Sequence, residues 1–471
     1  MKPFTISLCM IVKDEEKYLE KCLNSVHHMV DEIIIVDTGS SDSTLDIAER
    51  YKAKIFHFNW IDDFSVARNY SIAQATSDYI LIMDADEYLE KDVNIFDDLK
   101  SSKDFYINRI KNYTENGVPS YHEAIRLFKN NIGLSYYGRI HEHLDLEGKN
   151  YSHAFSNILI NHIGYKNEVL TEKNKTQRNI ELLLNEVAEN PSGYSYFNLA
   201  KQYMFMGELD KALHYFKESY YLSKNQYYLS DLLYHMVETL YKLKRYEDGI
   251  KVVTEAIGLF PLKTDLFFIK AKIFEELGFL EEAESLFKKC LSLGEVEHTS
   301  TREGVGSYLA HYYLSEVYQK QGKKLEAVEA LFFALREKKN FPAALYSYIE
   351  LLTTVNIPSE EIKRYLSAIY PITNQEEYSL LIKILYQLRH PLLIEYLEMY
   401  HNSNDQFLLA IAKQMNKQYR EAYQIWNQLE AIKSEQIDDV IMLSLLLEDV
   451  TLLNKFRSSI NVSDKERKIL V

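Results

Sequence analysis

An apolar run, Tyr79-Ile80-Leu81-Ile82-Met83, stops at three carboxylates, Asp84, Asp86 and Glu87, with one alanine between the two aspartates. About five consecutive apolar residues bounded by polar ones predict a strand buried on both faces. In open α/β sheets, ligands bind just beyond the carboxyl ends of such strands. Two aspartates separated by one small residue, placed there, can bring oxygens to a hard divalent cation and to a diphosphate. The plainer reading of the same stretch is a strand that ends in a solvated acidic turn.

The elements around this stretch support a sheet. Residues 4–12 read as a first strand, and Asp14 stands where it can cap a helix whose apolar stripe is Leu19, Cys22, Leu23 and Val26. Residues 32–37 (EIIIVD) read as a second buried strand ending in an acid. A turn rich in glycine and hydroxyls, 38–44, leads from it into a helix near 43–51. A third strand covers 53–58, and a helix over 64–75 carries Arg68 and Asn69. Strand–helix alternation of this kind predicts an α/β domain with a Rossmann-like, mostly parallel sheet. Further strands at 104–113, 122–128 and 156–162, with turns at Asn116-Gly117 and 131–133, make the far end of the sheet mixed.

Strand signals nearly vanish after Tyr165, and amphipathic helices of about 12–15 residues follow. Four segments repeat one pattern of small and aromatic residues. Its small anchors Ala212, Gly249, Ala283 and Ala327 recur at intervals of 37, 34 and 44 residues. A repeat of about 34 residues with small residues at helix crossings is the tetratricopeptide pattern, whose stacked helix pairs leave a curved surface that often binds peptides. A degenerate further copy is expected around Ala410, Ala422 and Trp426. The expected organisation is an α/β domain over 1–165, a linking helix over 166–190, all-α tetratricopeptide-like repeats over 191–340, and a degenerate helical extension over 341–471.

Bulk properties narrow the partners. The chain of 471 residues carries a formal charge of −15, which leaves no basic excess for nucleic acid. No stretch approaches the roughly 18 consecutive apolar residues of a membrane span. Three scattered cysteines, Cys9, Cys22 and Cys290, point to a reducing compartment. The apolar core Ile6–Val12 is short and runs straight into Lys13-Asp14-Glu15-Glu16, so no secretory signal is expected and the cytoplasm is the expected location.

With these pieces placed, the first ~165 residues resemble the family-2 glycosyltransferases, the inverting class with the GT-A fold. The stretches that carry the resemblance are SLCMIVKDEEKYLEKCLNSV, EIIIVDTGSSDST, YILIMDADEY and RLFKNN…YYGRIHEHL. Together with HFNWIDDFSVARN and the helical-repeat tail, they make the arrangement similar to bacterial transferases of the sublancin type, which glycosylate cysteine or serine of bacteriocin peptides. The resemblance implies Mg²⁺ or Mn²⁺, a UDP-sugar co-substrate with UDP-glucose favoured, and a peptide or protein acceptor held by the repeats. A homodimer is left open.

Residue roles follow from the same resemblance. Asp37 is expected to bind the nucleoside, against a plain role in capping the 38–44 turn. Asp14 and Glu15 border that pocket, although helix capping accounts equally well for Asp14. Asp84 lies nearer the ribose or sugar and Asp86 on the metal, while Glu87 reads as a turn residue. Arg68 and Asn69 are placed at the diphosphate; the alternative for Arg68 is a surface salt bridge to Asp62 or Asp63. In the cluster His141-Glu142-His143, Glu142 is the expected base, and His141 completes the metal site with Asp86 or touches the diphosphate. The alternative there is a structural pair of loop histidines, and His162 reads as structural. A cell-envelope glycan or another protein is the competing acceptor. A helical-repeat adaptor with a decayed transferase domain is the competing class, disfavoured because Asp37, Asp84 and Asp86 are all present.

Overall fold

The computed structural model describes residues 4–113, 118–144, 146, 150–164, 175–224, 226, 228–297, 299–399 and 405–457. The chain divides into two compact units, residues 1–310 and 311–471.

The first unit opens with β1 (Ile6–Val12), α1 (Leu19–Val26), β2 (Glu32–Asp37), α2 (Thr44–Arg50), β3 (Lys54–His57), α3 (Phe64–Ala73) and β4 (Tyr79–Ile82). These strands pair in parallel, in the order β3-β2-β1-β4. Their near-continuous apolar runs are explained by burial on both faces: Leu8, Cys9, Met10, Ile34, Ile80 and Leu81 are all fully buried. The stripe Leu19, Cys22, Leu23 and Val26 of α1 packs into the same core, as its 3.6-residue period requires.

The sheet then turns mixed. β5 (Glu87–Leu89) follows the acidic turn, and α4 (Ile95–Leu99) leads to β6 (Phe105–Asn112) and β7 (Ser120–Lys129). β8 (Tyr136–Tyr137) and β9 (His143–Leu144) form a separate two-stranded ribbon, and β10 (His153–His162) completes the path β4-β7-β6-β10-β5. β7 runs antiparallel to both β4 and β6, β10 runs parallel to β6, and β5 runs antiparallel to β10. The expected turn at 131–133 is present, with Asn131 and Gly133 in the left-handed region; the turn expected at Asn116-Gly117 lies outside the described residues.

Helices α5 (Lys175–Glu189), α6 (Gly193–Phe205), α7 (Leu209–Leu222), α8 (Leu229–Lys242), α9 (Tyr246–Leu259), α10 (Thr264–Glu276) and α11 (Leu280–Leu293) follow. The small residues sit at the crossings: Ala200, Ala212, Ala256, Ala271 and Ala283 are fully buried. A Cβ on Gly249 would stand 3.1 Å from Ile273 Cδ1 on the next helix. The helices from Lys175 to Leu293 fall in the same compact unit as the sheet, a unit that runs to residue 310. The physical reason is the segment after α11. Its β11 (Thr301–Arg302) pairs antiparallel with Tyr121 and Ser120 of β7. Asp265 of α10 holds β11 through Thr301 Oγ1 at 2.8 Å and Arg302 N at 2.9 Å. Glu303 accepts from Tyr121 Oη at 2.8 Å and pairs with Lys111 Nζ at 3.0 Å.

The described part of the second unit is helical, from the helix Tyr308–Lys320, most of which lies in it, to Thr451–Lys455. Its pair Gln406–Met415 and Tyr419–Gln428 buries Ala410, Ala422 and Trp426 completely, where the degenerate repeat copy was expected.

The segment that carries β11 closes on itself at Gly306, where a Cβ would run into the Gly294 carbonyl. Gly306→Ala is therefore expected to destabilise the protein by about 1–3 kcal/mol, seen as a lower urea midpoint at unchanged slope. Gly258→Ala, in open space on α9, should instead leave stability unchanged or raise it by up to about 1 kcal/mol.

Candidate active site

β1, β2 and β4 all end at one edge of the sheet because they are parallel, and Val12 and Asp37 lie opposite one another in the register. β4 projects its acidic turn there. Ala85 is only 4% exposed, which is why the residue between the aspartates must be small. The turn is closed by Glu87 N–H donating to the Asp84 carbonyl at 3.1 Å and by Asp84 N–H donating to Glu87 Oε2 at 2.9 Å.

Two arginines meet this turn. Arg68 on α3 is buried; it donates through Nη2 to Asp84 Oδ1 at 3.0 Å and through Nε to Glu142 Oε1 at 2.6 Å. Arg126 on β7 donates through Nη2 to Glu87 Oε1 at 2.8 Å and to Asp84 Oδ2 at 3.3 Å. Burial would penalise both cations, and the carboxylates Glu142, Asp84 and Glu87 outweigh it, so both guanidinium groups stay charged. Burial likewise opposes the charge on Asp84, and the two arginines overcome it and hold its carboxyl well below the usual range. Glu87 goes the other way: burial first, then the neighbouring Asp84 and Asp86, outweigh Arg126 and push it up to about 8. Three carboxylates, Asp84, Asp86 and Glu142, and the carboxyl of Glu87 thus stand against two guanidinium groups. Two buried donors, Arg68 Nη1 and Arg126 Nε, have no hydrogen-bond partner among the described residues.

Asp86, 6% exposed, faces His162 Nε2 across 3.5 Å. His162, rather than the expected His141, is thus the imidazole recorded beside Asp86. A Cβ on Gly164 would stand 2.5 Å from His162 Nε2 and 2.6 Å from Asp86 Oδ2, so the glycine keeps open the space between them. An excess of carboxylate, an imidazole and a space a methyl group would fill suit a divalent cation. Among the described residues no three His, Cys, Asp or Glu side chains converge on one point. A cation here would draw its remaining ligands from phosphate oxygens and water, as Mg²⁺ commonly does.

The other expected site residues fall as follows. Asp14 lines the cleft, but it does not cap α1, whose N-cap is Tyr18 with no side-chain bond. Its Oδ1 instead accepts from Ser41 N at 2.8 Å and tethers the 38–44 turn. Asp37 is 4% exposed and is turned into that same loop, accepting from Ser40 N at 2.9 Å and Gly39 N at 3.3 Å. Burial opposes its charge, and the bonds from Ser40, His57 and Gly39 prevail and hold its carboxyl below the usual range. Thr38 and Asp42, rather than Asp37, line the cleft. Asn69 clamps both backbone polar groups of Tyr136, donating to its carbonyl at 2.7 Å and accepting from its N–H at 2.8 Å, and so fixes the β8–β9 ribbon. Asp63 caps α3 by accepting from Val66 N, and Asp62 accepts from Trp60 Nε1 at 2.7 Å, so neither pairs with Arg68. His141 lines the cleft with φ of 56°, and burial and Lys201 keep its ring neutral by lowering its pKa to about 3. Glu142 is brought to the centre by its bond to Arg68.

Sequence reasoning missed Arg126 and His162 as site residues. Arg126 stood within the quoted RLFKNN stretch, and His162 stood at a strand end. The signal that would have placed them is the pairing of β7 and β10 with distant strands.

The acidic turn lies in a cleft of about 2820 Å³ that continues onto α6 and α8, lined there by Tyr194, Phe197, Asn198, Lys201, Asp231 and Tyr234. Pockets for single small molecules are several-fold smaller, about 300–1,000 Å³.

Residues 7–130 match the family model described as glycosyl transferase family 2, and residues 193–226 match that of the tetratricopeptide repeat. The chain thus carries a family-2 glycosyl transferase domain, of GT-A-like mixed α/β architecture, joined to tetratricopeptide repeats. It is similar to the SPbeta prophage-derived glycosyltransferase SunS of Bacillus subtilis, at 32% identity over 232 residues, 46% of this chain and 53% of that one. It is also similar to a tetratricopeptide-repeat-containing protein of Synechococcus elongatus, at 36% identity over 196 residues, 40% of this chain and 49% of that one. The chain spans about half the length of these relatives. Among solved structures, that of MamA covers 36% of the chain at 18% identity and a TM-score of 0.31. No helix among the described residues is long and apolar enough to cross a membrane.

Two outcomes test the site. Gly164→Ala places a methyl group between Asp86 and His162 and is expected to weaken Mn²⁺ binding in the presence of UDP by at least ten-fold, read by electron paramagnetic resonance of free Mn²⁺, with little change in melting temperature. Glu87 has a raised folded-state pKa, so the folded chain holds a proton that the unfolded chain releases. Its contribution is fully present below pH ~4.5 and is lost as pH rises toward about 8. Glu87→Gln should therefore gain melting temperature relative to the parent between pH 5 and 8 in metal-free buffer.

Proposed function

We propose that this chain is a divalent-metal-dependent inverting glycosyltransferase. It moves a hexose from a UDP-sugar, UDP-glucose first among candidates, to a cysteine or serine side chain of a ribosomally made peptide held by the helical repeats. The observation that carries the reading is the pair of buried arginines at the acidic turn with open donors, Arg68 Nη1 and Arg126 Nε. Buried guanidinium N–H groups left over after pairing suit phosphate oxygens, which take charge-assisted hydrogen bonds.

In this reading the diphosphate lies against Arg68 and Arg126, and Asp86 with His162 holds Mg²⁺ or Mn²⁺. A bound divalent cation supplies charge compensation for the departing nucleoside diphosphate. Thr38, Asp42 and Asp14 border the nucleoside end of the cleft. Asp37 acts through the turn it closes. Asp84, fixed by both arginines, faces the ribose or sugar. The acceptor sulfur or oxygen attacks the anomeric carbon as the bond to the phosphate oxygen breaks, and the proton passes to Glu142, which Arg68 positions. A thiol acceptor needs less help, its ordinary pKa being about 8.5. The cleft continues onto α6 and α8, and its size suits a nucleotide sugar together with a segment of a larger acceptor.

Mass spectrometry of a peptide containing cysteine and serine, after incubation with UDP-hexoses and Mn²⁺, tests the reading. A hexose-sized gain is expected, lost on chelation and in Asp86→Asn. UDP release with an unchanged peptide would retain the transfer and overturn the peptide acceptor. No UDP release with any donor would overturn the transferase.

A further inference from the structure

A row of polar side chains crosses the mixed half of the sheet. In the strand register Ser120 lies opposite Asn112, Asn112 opposite His162, and His162 opposite Glu87. Residues directly opposite share a face, and so do alternate residues of one strand. His122, two residues from Ser120, is therefore on this face as well. Asn112 is 5% exposed and touches both histidines. Its Oδ1 lies 2.9 Å from His162 Nδ1, and its Nδ2 lies 2.8 Å from His122 Nδ1 and 3.3 Å from the Ser120 carbonyl.

The Ser120 carbonyl can only accept, so it fixes which end of the amide is the donor. Oδ1 then faces His162 and can only accept, so His162 carries its proton on Nδ1. In the neutral ring Nε2 is a lone pair, and it is Nε2 that faces Asp86 across 3.5 Å. On the other side Nδ2 donates, so His122 Nδ1 is a lone pair and its proton is on Nε2. His122 lines the cleft that continues onto α6 and α8.

We propose that Asn112 is a positioning residue that locks the two imidazoles in opposite tautomers, turning His162 into a lone-pair ligand beside Asp86 and His122 into a neutral N–H donor on the acceptor side of the cleft. The group that His122 suits is a carbonyl or hydroxyl oxygen of the acceptor. One side-chain amide thereby sets the chemistry of both ends of the site. The role given to His162 rests on the metal-dependent reading above; the tautomers do not.

The test uses the full chain with histidine labelled in both ring nitrogens. Nitrogen shifts of the metal-free chain separate protonated from lone-pair nitrogens, and His162→Ala and His122→Ala assign them. Protonated Nδ1 in His162 and protonated Nε2 in His122 are expected; the same tautomer in both rings overturns the inference. In parallel, Mn²⁺ affinity is measured in the presence of UDP. Asn112→Leu is expected to weaken it by about 10–100-fold, the usual effect of losing the group that orients a ligating histidine, and to add nothing in a His162→Ala background. The isosteric Asn112→Asp keeps an acceptor for His162 and should hold Mn²⁺ nearly as the parent does, while His122 alone changes its protonation pattern. Parent-like Mn²⁺ binding by a folded Asn112→Leu chain overturns the link to the metal site. If the parent itself binds no Mn²⁺ with UDP, the metal-dependent reading fails and the nitrogen shifts still decide the tautomers.

Discussion

The site is organised by the compensation of carboxylate charge at the end of β4. Asp84, Asp86, Glu87 and Glu142 are gathered there, all but Asp84 with largely buried side chains, and like charges about 4 Å apart repel by about 4 kcal/mol at an effective dielectric constant near 20. Arg68 and Arg126 make the arrangement tolerable, and each comes from a different element. The supports of those elements then become legible. Asp63 caps α3 and so fixes the helix that carries Arg68. Asn69, one residue on, clamps the β8–β9 ribbon and so fixes the segment that delivers Glu142.

The strand order explains how the second arginine arrives. β7 lies beside β4 and runs against it, with Leu127 opposite Leu81. Antiparallel pairing brings Arg126 level with the last residues of β4. A parallel neighbour in the same place would extend along with β4 and present its side chains in the reverse order. β10 then ends at His162, opposite Glu87, where β5 turns back from the acidic loop. The parallel half of the sheet thus offers the loops that border the cleft, and the mixed half supplies a cation and an imidazole to the carboxylates.

Much of this was legible in the chain. The apolar runs of β1, β2 and β4 are long enough to be read as buried strands, and the acids at their ends mark the edge where ligands bind. The small residues of the repeats are legible because helices in close contact leave no room for larger ones. What stayed hidden depends on partners distant in sequence. Asp37 and Asn69 were assigned to the nucleotide by position, but position along a strand or helix does not say which hydrogen bonds a side chain completes. His162 reads as structural in the sequence because only the pairing of β10 with β5 sets it opposite Glu87 and beside Asp86. Strands of two or three residues, β5, β8, β9 and β11, carry no periodicity at all. One of them, β11, joins the repeats to the sheet, which is why the compact unit reaches residue 310 rather than ending near 165.

That last strand bears on how the two sides of the cleft are held together. The charged groups of the site stand on the sheet, its acidic turn, α3 and the segment before β9, while the far lining of the cleft, Tyr194, Asn198, Lys201 and Tyr234 among it, belongs to the repeats. Two surfaces on separate elements can serve one reaction only if their spacing is fixed to within a few tenths of an ångström, since misplacement by about 1 Å is enough to cost a hundred-fold in rate. The clamp of Asp265 on β11 and the bonds of Glu303 to Tyr121 and Lys111 meet that need from the repeat side. β7, which receives β11 at Tyr121, carries His122 next along the strand and Arg126 four residues beyond it. On the proposed reading, one strand therefore registers the acceptor surface at one end and grips the acidic turn at the other. The far lining on α6 and α8 takes no part in the ion pairs that balance the charge of the acidic turn.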